Sequence, residues 1–310
     1  MRIIVTGGFG FIGSEFVNTI GRKNPSAEVL VVDNLTYAAN ARRVNVPNID
    51  FLEKDICDVT VEDLGSYDYL VHFAAESHVD NSIKDGKPFI RTNVEGTFNL
   101  LECARQNKSL KKFIHISTDE VYGDMADISI DVTADEEFPL VASSYYSATK
   151  ASSDMLVLSA ARTFGLPYII TRTCNNYGEN QHSEKFIPTI MRSIKEGKKI
   201  PVYGDGQHVR EWIDVTDNTQ LIYEIMLSDR INETFNIGSG ERYTNLEIID
   251  MIGTMMNKNP EYEFVADRLG HDKRYALNSG KLNSILGETI PLSFEEYLLE
   301  QVYNLKQEQL

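Results

Sequence analysis

Within its first thirteen residues the chain passes from an apolar, β-branched run, Ile3 to Thr6, into Gly7-Gly8-Phe9-Gly10-Phe11-Ile12-Gly13, and from there into a helical pattern. This strand, glycine turn and helix junction restricts the fold more than any other feature of the sequence. The first glycine permits the tight turn, the second lets backbone approach a pyrophosphate, and the third lets helix pack on strand with its N-terminus facing the phosphates. Gly7, Gly10 and Gly13 are therefore expected to cradle a dinucleotide. Asp33 ends the next apolar run, Val29 to Val32, twenty residues after Gly13. There a carboxylate can accept hydrogen bonds from the adenosine ribose hydroxyls, and it would repel a 2′-phosphate, so NAD is expected rather than NADP.

The same rhythm continues through Tyr69 to Phe73, Phe113 to Ser117 and Tyr168 to Thr171, each a β-branched or aromatic run ending in a polar turn. Strands alternating with helical patterns make βαβ units, and runs apolar on every side, such as Val29-Leu30-Val31-Val32, suit strands covered on both faces. The expected fold is α/β: a doubly wound parallel-sheet Rossmann domain with a smaller, interleaved α/β substrate domain. After Cys174 the pattern changes to loops, a helix near Ile187 to Glu196 and short extended pieces. Trp212 to Val215 and Thr234 to Ile237 read as further strands of the main sheet. The expected division is residues 1–173 for the Rossmann domain, with 209–240 returning to it, and 174–208 with 241–310 for the substrate domain. No internal repeat or low-complexity segment is present, and the polar end, Lys306 to Leu310, reads as a frayed tail.

Composition narrows the partners. The chain has 310 residues, 42% of them hydrophobic, enough for a sizeable core. Its net charge of −16, from 46 acids against 30 bases, repels a phosphate polymer, so no nucleic-acid partner is expected. The same field opposes a small anionic substrate, whose phosphates must then be held by a few local bases and backbone N–H groups. No run approaches the roughly 18 apolar residues that span a bilayer, and the start is strand-like rather than a leader, so no membrane partner and a cytoplasmic location are expected. Cys57, Cys103 and Cys174 lie far apart, and His72, His78, His115, His182, His208 and His271 form no metal-spaced cluster. No metal is expected.

Tyr146 and Lys150 are four residues apart, hence one above the other on a helix face. Lys150 can lower the phenol pKa, so that Tyr146 takes a proton from a substrate hydroxyl while a nicotinamide takes the hydride. A Tyr/Lys pair alone decides little. Its position after the Phe113 to Ser117 strand, in a chain that already carries a dinucleotide turn, is what makes it informative.

Together with the strand end His115-Ile116-Ser117-Thr118-Asp119-Glu120-Val121-Tyr122-Gly123, these features resemble the extended short-chain dehydrogenases that act on nucleotide sugars. Phe73-Ala74-Ala75-Glu76-Ser77-His78-Val79-Asp80, Asn175-Asn176-Tyr177-Gly178 and Pro201-Val202-Tyr203-Gly204-Asp205-Gly206 narrow the match to the dTDP-glucose 4,6-dehydratases, over about Arg2 to Leu277. The resemblance implies a lyase that oxidises C4 of the sugar, eliminates water across C5 and C6, and returns the hydride to C6. It makes Glu120 the base at C5, Asp119 the acid for the leaving hydroxyl, Thr118 a hydrogen-bond partner at C4, and Tyr146 with Lys150 the oxidising pair. The implied NAD positions are Phe11, Ile12, Asp33, Asn34, Leu35, Thr36, Asp55, Ile56, Ala74, Ala75, Thr92, Tyr146, Lys150 and Asn176. Ser77, Thr118 and Asn175 would hold sugar and phosphate. Lys185, Phe186, Pro201, Val202, Tyr203, Arg210, Asn245, Arg268 and His271 would hold the nucleotide, with arginine forks for the diphosphate and Tyr203 as a stacking face.

The chain departs from that family at Leu269, where proline is usual, at Phe186 in place of leucine, at Ala39 in place of glycine, and in a shorter C-terminal part. These changes bear on the nucleotide side, so UDP-glucose stays beside dTDP-glucose as the expected partner. The resemblance also implies a homodimer through the helical stretches Pro88 to Arg105 and Ser144 to Phe164. A 4-epimerase or a uronate decarboxylase would share the cofactor and Tyr146/Lys150 but has no need of Asp119. A non-catalytic NAD-binding protein would need none of the three groups.

Overall fold

The computed structural model describes residues 1–47, 49–287 and 293–307. In chain order the strands are β1 (Arg2–Thr6), β2 (Glu28–Asp33), β3 (Ile49–Glu53), β4 (Tyr69–His72), β5 (Lys112–Thr118), β6 (Tyr168–Thr173), β7 (Asn175–Tyr177), β8 (Ile200–Tyr203), β9 (Val209–Asp214), β10 (Glu233–Ile237), β11 (Arg242–Thr244) and β12 (Tyr262–Val265). Seven of them form one sheet in the order β10-β6-β5-β4-β1-β2-β3. Every described pairing within it is parallel, for example Ile3 beside Val29 on one side and Tyr69 on the other. The order of progression reverses between β4 and β2 around β1, which opens a crevice at the C-terminal strand ends where such sheets bind ligands.

Helices cover both faces, and the core divides accordingly. Ile3, Val5, Phe16, Val31 and Val71 lie in one apolar cluster and Ile4, Leu30, Val32, Leu70 and Phe113 in the other. Adjacent residues of a strand point to opposite faces, which is why β1 and β2 carry consecutive apolar residues, Ile3-Ile4-Val5 and Val29-Leu30-Val31-Val32. A third cluster, built on Tyr177, Ile190, Trp212, Ile249 and Phe294, sits under the later segments.

Two sequence expectations need correction. The run at Trp212 is a strand, but β9 belongs to a separate three-stranded sheet, β11-β9-β7, and not to the main one. Its burial against the third cluster gives it the apolar look of a central strand. It also ends at Asp214, whose side chain accepts from Thr216 N and starts the helix Val215–Leu227. The run at Thr234, by contrast, is the β10 edge of the main sheet. Of the expected frayed tail, residues 306–307 close the helix Phe294–Gln307 and 308–310 lie outside the described residues.

Candidate active site

The glycine turn is shaped by steric necessity at two positions. Gly7 sits at φ +68°, and a Cβ there would lie 2.6 Å from Ala74 N. A Cβ on Gly13 would collide with Gly7 O. Helix Phe11–Lys23 therefore approaches β1 as closely as two backbones allow. Its first turn has no side-chain cap and no acidic residue, leaving N–H groups and a positive dipole end available to a pyrophosphate. Both oxygens of Asp33 are positioned by backbone, Oδ2 accepting from Phe9 N and Oδ1 from Leu35 N, each at 2.9 Å.

A cleft of about 620 Å³ runs from this turn across the strand ends to β8. That volume is of the size that takes a small ligand. Gly7, Gly10, Phe11, Ile12, Gly13, Asp33, Asn34, Thr36, Asp55, Ile56, Ala74, Ala75, Thr92 and Asn176 line its first arm, and Thr118, Asp119, Glu120, Tyr146 and Lys150 its middle. Ser77, Asn175, Lys185, Phe186, Pro201, Tyr203, Arg210, Asn245, Arg268 and His271 line the rest. Leu35 and Val202 stand apart. Leu35 is 41% exposed, at φ +50°, and acts through its backbone N–H on Asp33. Val202 is 1% exposed and packs in the third cluster. Side chains alternate along β8, so Ile200 and Val202 point inward while Pro201 and Tyr203 reach the cleft.

In the middle of the cleft, β5 ends at Thr118 and a short 3-10 turn, Asp119–Tyr122, follows. The Thr118 hydroxyl donates to Asp119 Oδ1 at 3.1 Å and also accepts from Glu120 N at 3.3 Å. Asp119 is buried and its Oδ2 has no hydrogen-bond partner. Burial, Glu120 and Glu211 together hold its carboxyl well above the usual carboxylate range. Burial also raises Glu120, but Arg210, Arg268 and Lys185 counter the shift. The two neighbouring acids are thus pushed apart in the sense that an acid and a base require.

Tyr146 stands on the first turn of helix Tyr145–Phe164, which Ser144 and Ser147 cap reciprocally and which Gly165 ends in the left-handed region at φ 70°. The expected lowering of the phenol pKa is not what the protein groups produce. Burial first and Glu120 second push Tyr146 up, while Thr118 pulls it back. The Lys150 ammonium instead donates to Ile116 O at 2.6 Å. Burial lowers its pKa to about 8, against the opposing pull of Asp154. Asp154 is itself gripped by Arg172 at 3.0 Å.

The arginine forks are also engaged. Arg210 donates through its two terminal nitrogens to the carbonyls of Val209, Lys273 and Asp272, and its guanidinium lies 4.5 Å from the Tyr275 ring centroid. It offers the cleft a fixed charge and not the free fork expected. Arg268 donates to Asp80 Oδ1 at 3.1 Å and to His271 Nε2 at 2.8 Å.

Sequence spacing missed several neighbours. Asn93, in the π-helical segment Ile90–Gly96, clamps Glu76 by both its N–H and its carbonyl and donates to Thr149 as well, so it fixes the Ala74 to His78 wall. His208, Asp267 and His271 bring three possible metal ligands within reach of one another, although His208 is remote in sequence from the other two. The two imidazoles are stacked, 3.8 Å between centroids and 18° between planes. Their in-plane lone pairs therefore run side by side and do not converge. Asp267 bridges them, 2.6 Å from His271 Nδ1 and 3.2 Å from His208 Nε2.

A parallel sheet with a glycine-cradled helix end, an acid at the close of β2 and a Tyr/Lys helix beside an acid pair defines a dinucleotide-dependent enzyme of the Rossmann class. The chain belongs to the NAD dependent epimerase/dehydratase family, whose family model matches residues 3–238. It is 44% identical to the low-salt glycan biosynthesis protein Agl12 of Haloferax volcanii over 308 residues, covering 96% of each chain. It is 41% identical to a dTDP-glucose 4,6-dehydratase of Streptomyces niveus, covering 97% of this chain and 92% of that one. Among solved structures, DesIV of Streptomyces venezuelae, a dTDP-glucose 4,6-dehydratase with NAD bound, superposes with a TM-score of 0.93 at 39% identity. That match covers 100% of this chain and 98% of DesIV. Among the described residues no helix is long and apolar enough to cross a membrane.

Proposed function

We propose that the protein is an NAD-dependent nucleotide-sugar 4,6-dehydratase acting on dTDP-glucose. The observation that carries this reading is the acid pair Asp119-Glu120, set at the end of β5 in the same cleft as Thr118, Tyr146 and Lys150. An epimerase needs only the redox half of this set, and a decarboxylase loses carbon dioxide instead of water.

The residues present fit the dinucleotide: the Gly7 to Gly13 turn leaves no room for a Cβ at two positions, the adjoining helix end is uncapped, and Asp33 is aimed by two backbone N–H groups. When bound there, NAD would supply the acceptor for a hydride from C4 of the sugar and the donor for its return to C6. Tyr146 takes the O4 proton, with Lys150 one turn further along the same helix. Thr118 orients O4. With C4 a carbonyl, the C5 proton is acidic enough for Glu120 to remove, and Asp119 protonates the departing C6 hydroxyl as water. Glu120 then returns its proton to C5. The bases on the far arm, Lys185, Arg210 and Arg268, supply the local positive charge that a diphosphate needs against a net charge of −16.

We also propose a cytoplasmic homodimer, with residues 1–173 serving the cofactor and the later segments the nucleotide sugar. In support, large apolar side chains stand exposed on the helical stretches 87–104 and 145–164, and the three cysteines are free.

The test is product analysis with dTDP-glucose carrying deuterium at C4, and UDP-glucose alongside. The expected product is a 4-keto-6-deoxy sugar with the deuterium at C6 and no net consumption of NAD. Stoichiometric NADH in solution would make the protein a simple dehydrogenase, inversion at C4 with C6 intact would make it an epimerase, and turnover of UDP-glucose alone would reassign the base.

A further inference from the structure

Arg268 comes from the loop after β12 and lies 188 positions along the chain from its partner Asp80. Asp80 is in the short helix Val79–Lys84, which follows β4 of the main sheet. Their contact crosses the cleft, and both residues line it. Asp80 Oδ1 accepts from Arg268 at 3.1 Å, Asp80 Oδ2 lies 3.5 Å from Tyr203 OH, and the Arg268 guanidinium lies 5.5 Å from the Tyr203 ring centroid. On its other side Arg268 donates to His271 Nε2, and His271 Nδ1 is tied to Asp267. Lys185 differs, having no side-chain hydrogen bond or ion pair among the described residues although Glu120, Glu184, Arg268 and Asp80 all act on it electrostatically. Of these two bases, Lys185 has no side-chain partner among the described residues and Arg268 is already paired with a carboxylate.

We propose that Asp80 holds Arg268 in reserve as a latch across the cleft, and that the diphosphate of the incoming nucleotide sugar displaces this carboxylate to take the guanidinium. The inference rests on the nucleotide-sugar reading of the site. Two physical facts favour displacement over a permanent pairing. The Asp80 and Arg268 side chains are 26% and 27% exposed, so the pair is only partly buried and solvent screens it in part. A diphosphate brings more charge and offers the fork two oxygens in place of the single carboxylate oxygen that Arg268 now contacts. Breaking the Asp80–Arg268 contact is a cost that nucleotide binding must meet. Asp80 thus lowers affinity and hastens release of the nucleotide product, a useful property where a net acidic protein must still let go of a tightly gripped dianion.

The experiment is calorimetric titration of the NAD-loaded full-length protein with dTDP and with UDP, comparing wild type, Asp80→Asn, Arg268→Ala and the double variant. Asp80→Asn keeps the side-chain size and removes the charge. It is expected to tighten nucleotide binding by about two- to fivefold, the scale of a solvent-screened ion pair, with NAD content unchanged. In the Arg268→Ala background the same change should give less than about twofold, because the coupling is between those two residues. Weaker or unchanged binding in Asp80→Asn would show that the carboxylate orients Arg268 for the ligand or is idle, and equal tightening without Arg268 would show general repulsion and no latch. Either result overturns the proposal while leaving the nucleotide-sugar reading intact. If wild-type holoenzyme binds neither nucleotide, that reading fails and the latch falls with it.

Discussion

Asp119 and Glu120 are chain neighbours with opposite electrical surroundings. Asp119 faces the interior, where Glu211 adds negative charge, while Glu120 faces three bases across the cleft. The reading gives them different tasks, so their variants should fail differently. Glu120→Gln keeps size and removes the base, and by removing a charge that pushes Tyr146 up it does not hinder the oxidising half. Oxidation at C4 should survive, so reduced nicotinamide should build up in a single turnover while water elimination falls by about 10² to 10⁴. Tyr146→Phe should form little NADH. Rapid-mixing absorbance traces of the two variants check this, and normal turnover by Glu120→Gln would move the base elsewhere. Asp119 allows a separate test through stability. Its folded pKa is raised above the unfolded value of about 3.9. Below that value both states hold the proton. As pH rises, the unfolded chain releases it while the fold resists, so the stability tied to the neutral form is lost on approaching the folded pKa. Asp119→Asn, always neutral, should therefore gain stability relative to wild type between about pH 4 and about pH 8 while dehydration is lost. Thermal melts of both proteins at the two pH values decide it; a gap independent of pH would mean that Asp119 is ionised in the fold.

At the scale of elements, the sequence is most legible where burial and backbone sterics act through local patterns. β1, β2, β4, β5 and β6 are buried on both faces, and short apolar stretches such as Ile3-Ile4-Val5, Val29-Leu30-Val31-Val32 and Phe113-Ile114 mark them in the sequence. The glycine turn is legible because its constraints fall at fixed spacing. β3 left no such trace: Ile49-Asp50-Phe51-Leu52-Glu53 is an edge strand with no fully buried residue, so its composition is mixed. β9 was visible as a strand yet its sheet was not, since burial says that a run is covered and not by what. Val202 shows a similar limit, because a motif read as a block carries no information on which alternate side chains face the cleft until the strand is placed. Arg210 and Arg268 mark the furthest limit. Their charge suits a phosphate, but the carbonyls and carboxylate that engage them come from up to 188 positions away, and no linear pattern encodes that.

For the whole molecule, the question is how an acidic chain accommodates exposed apolar groups. Ile90, Phe98 and Met155 are 51%, 54% and 53% exposed, and they lie on the π-helical segment, the helix Thr97–Ala104 and the helix Tyr145–Phe164. Large apolar side chains gathered on packed helices are what an interface between identical subunits covers. Like charge on two copies opposes association at long range, but salt screens it beyond about 10 Å, whereas burial of such side chains is worth roughly 1.5–3 kcal/mol each. Association should therefore win, and weaken little at low salt. The helix Tyr145–Phe164 carries Tyr146 and Lys150 near its start and Met155 further along, so a dimer contact would also steady the catalytic turn. Light scattering at micromolar concentration should give twice the chain mass for the wild type. Phe98→Glu combined with Met155→Glu should give the monomer, with NAD still bound through the distant glycine turn but a lower melting temperature and slower C4 oxidation. A wild type that scatters as a monomer at both low and moderate salt would remove the dimer and leave the exposed patch to be explained by another partner.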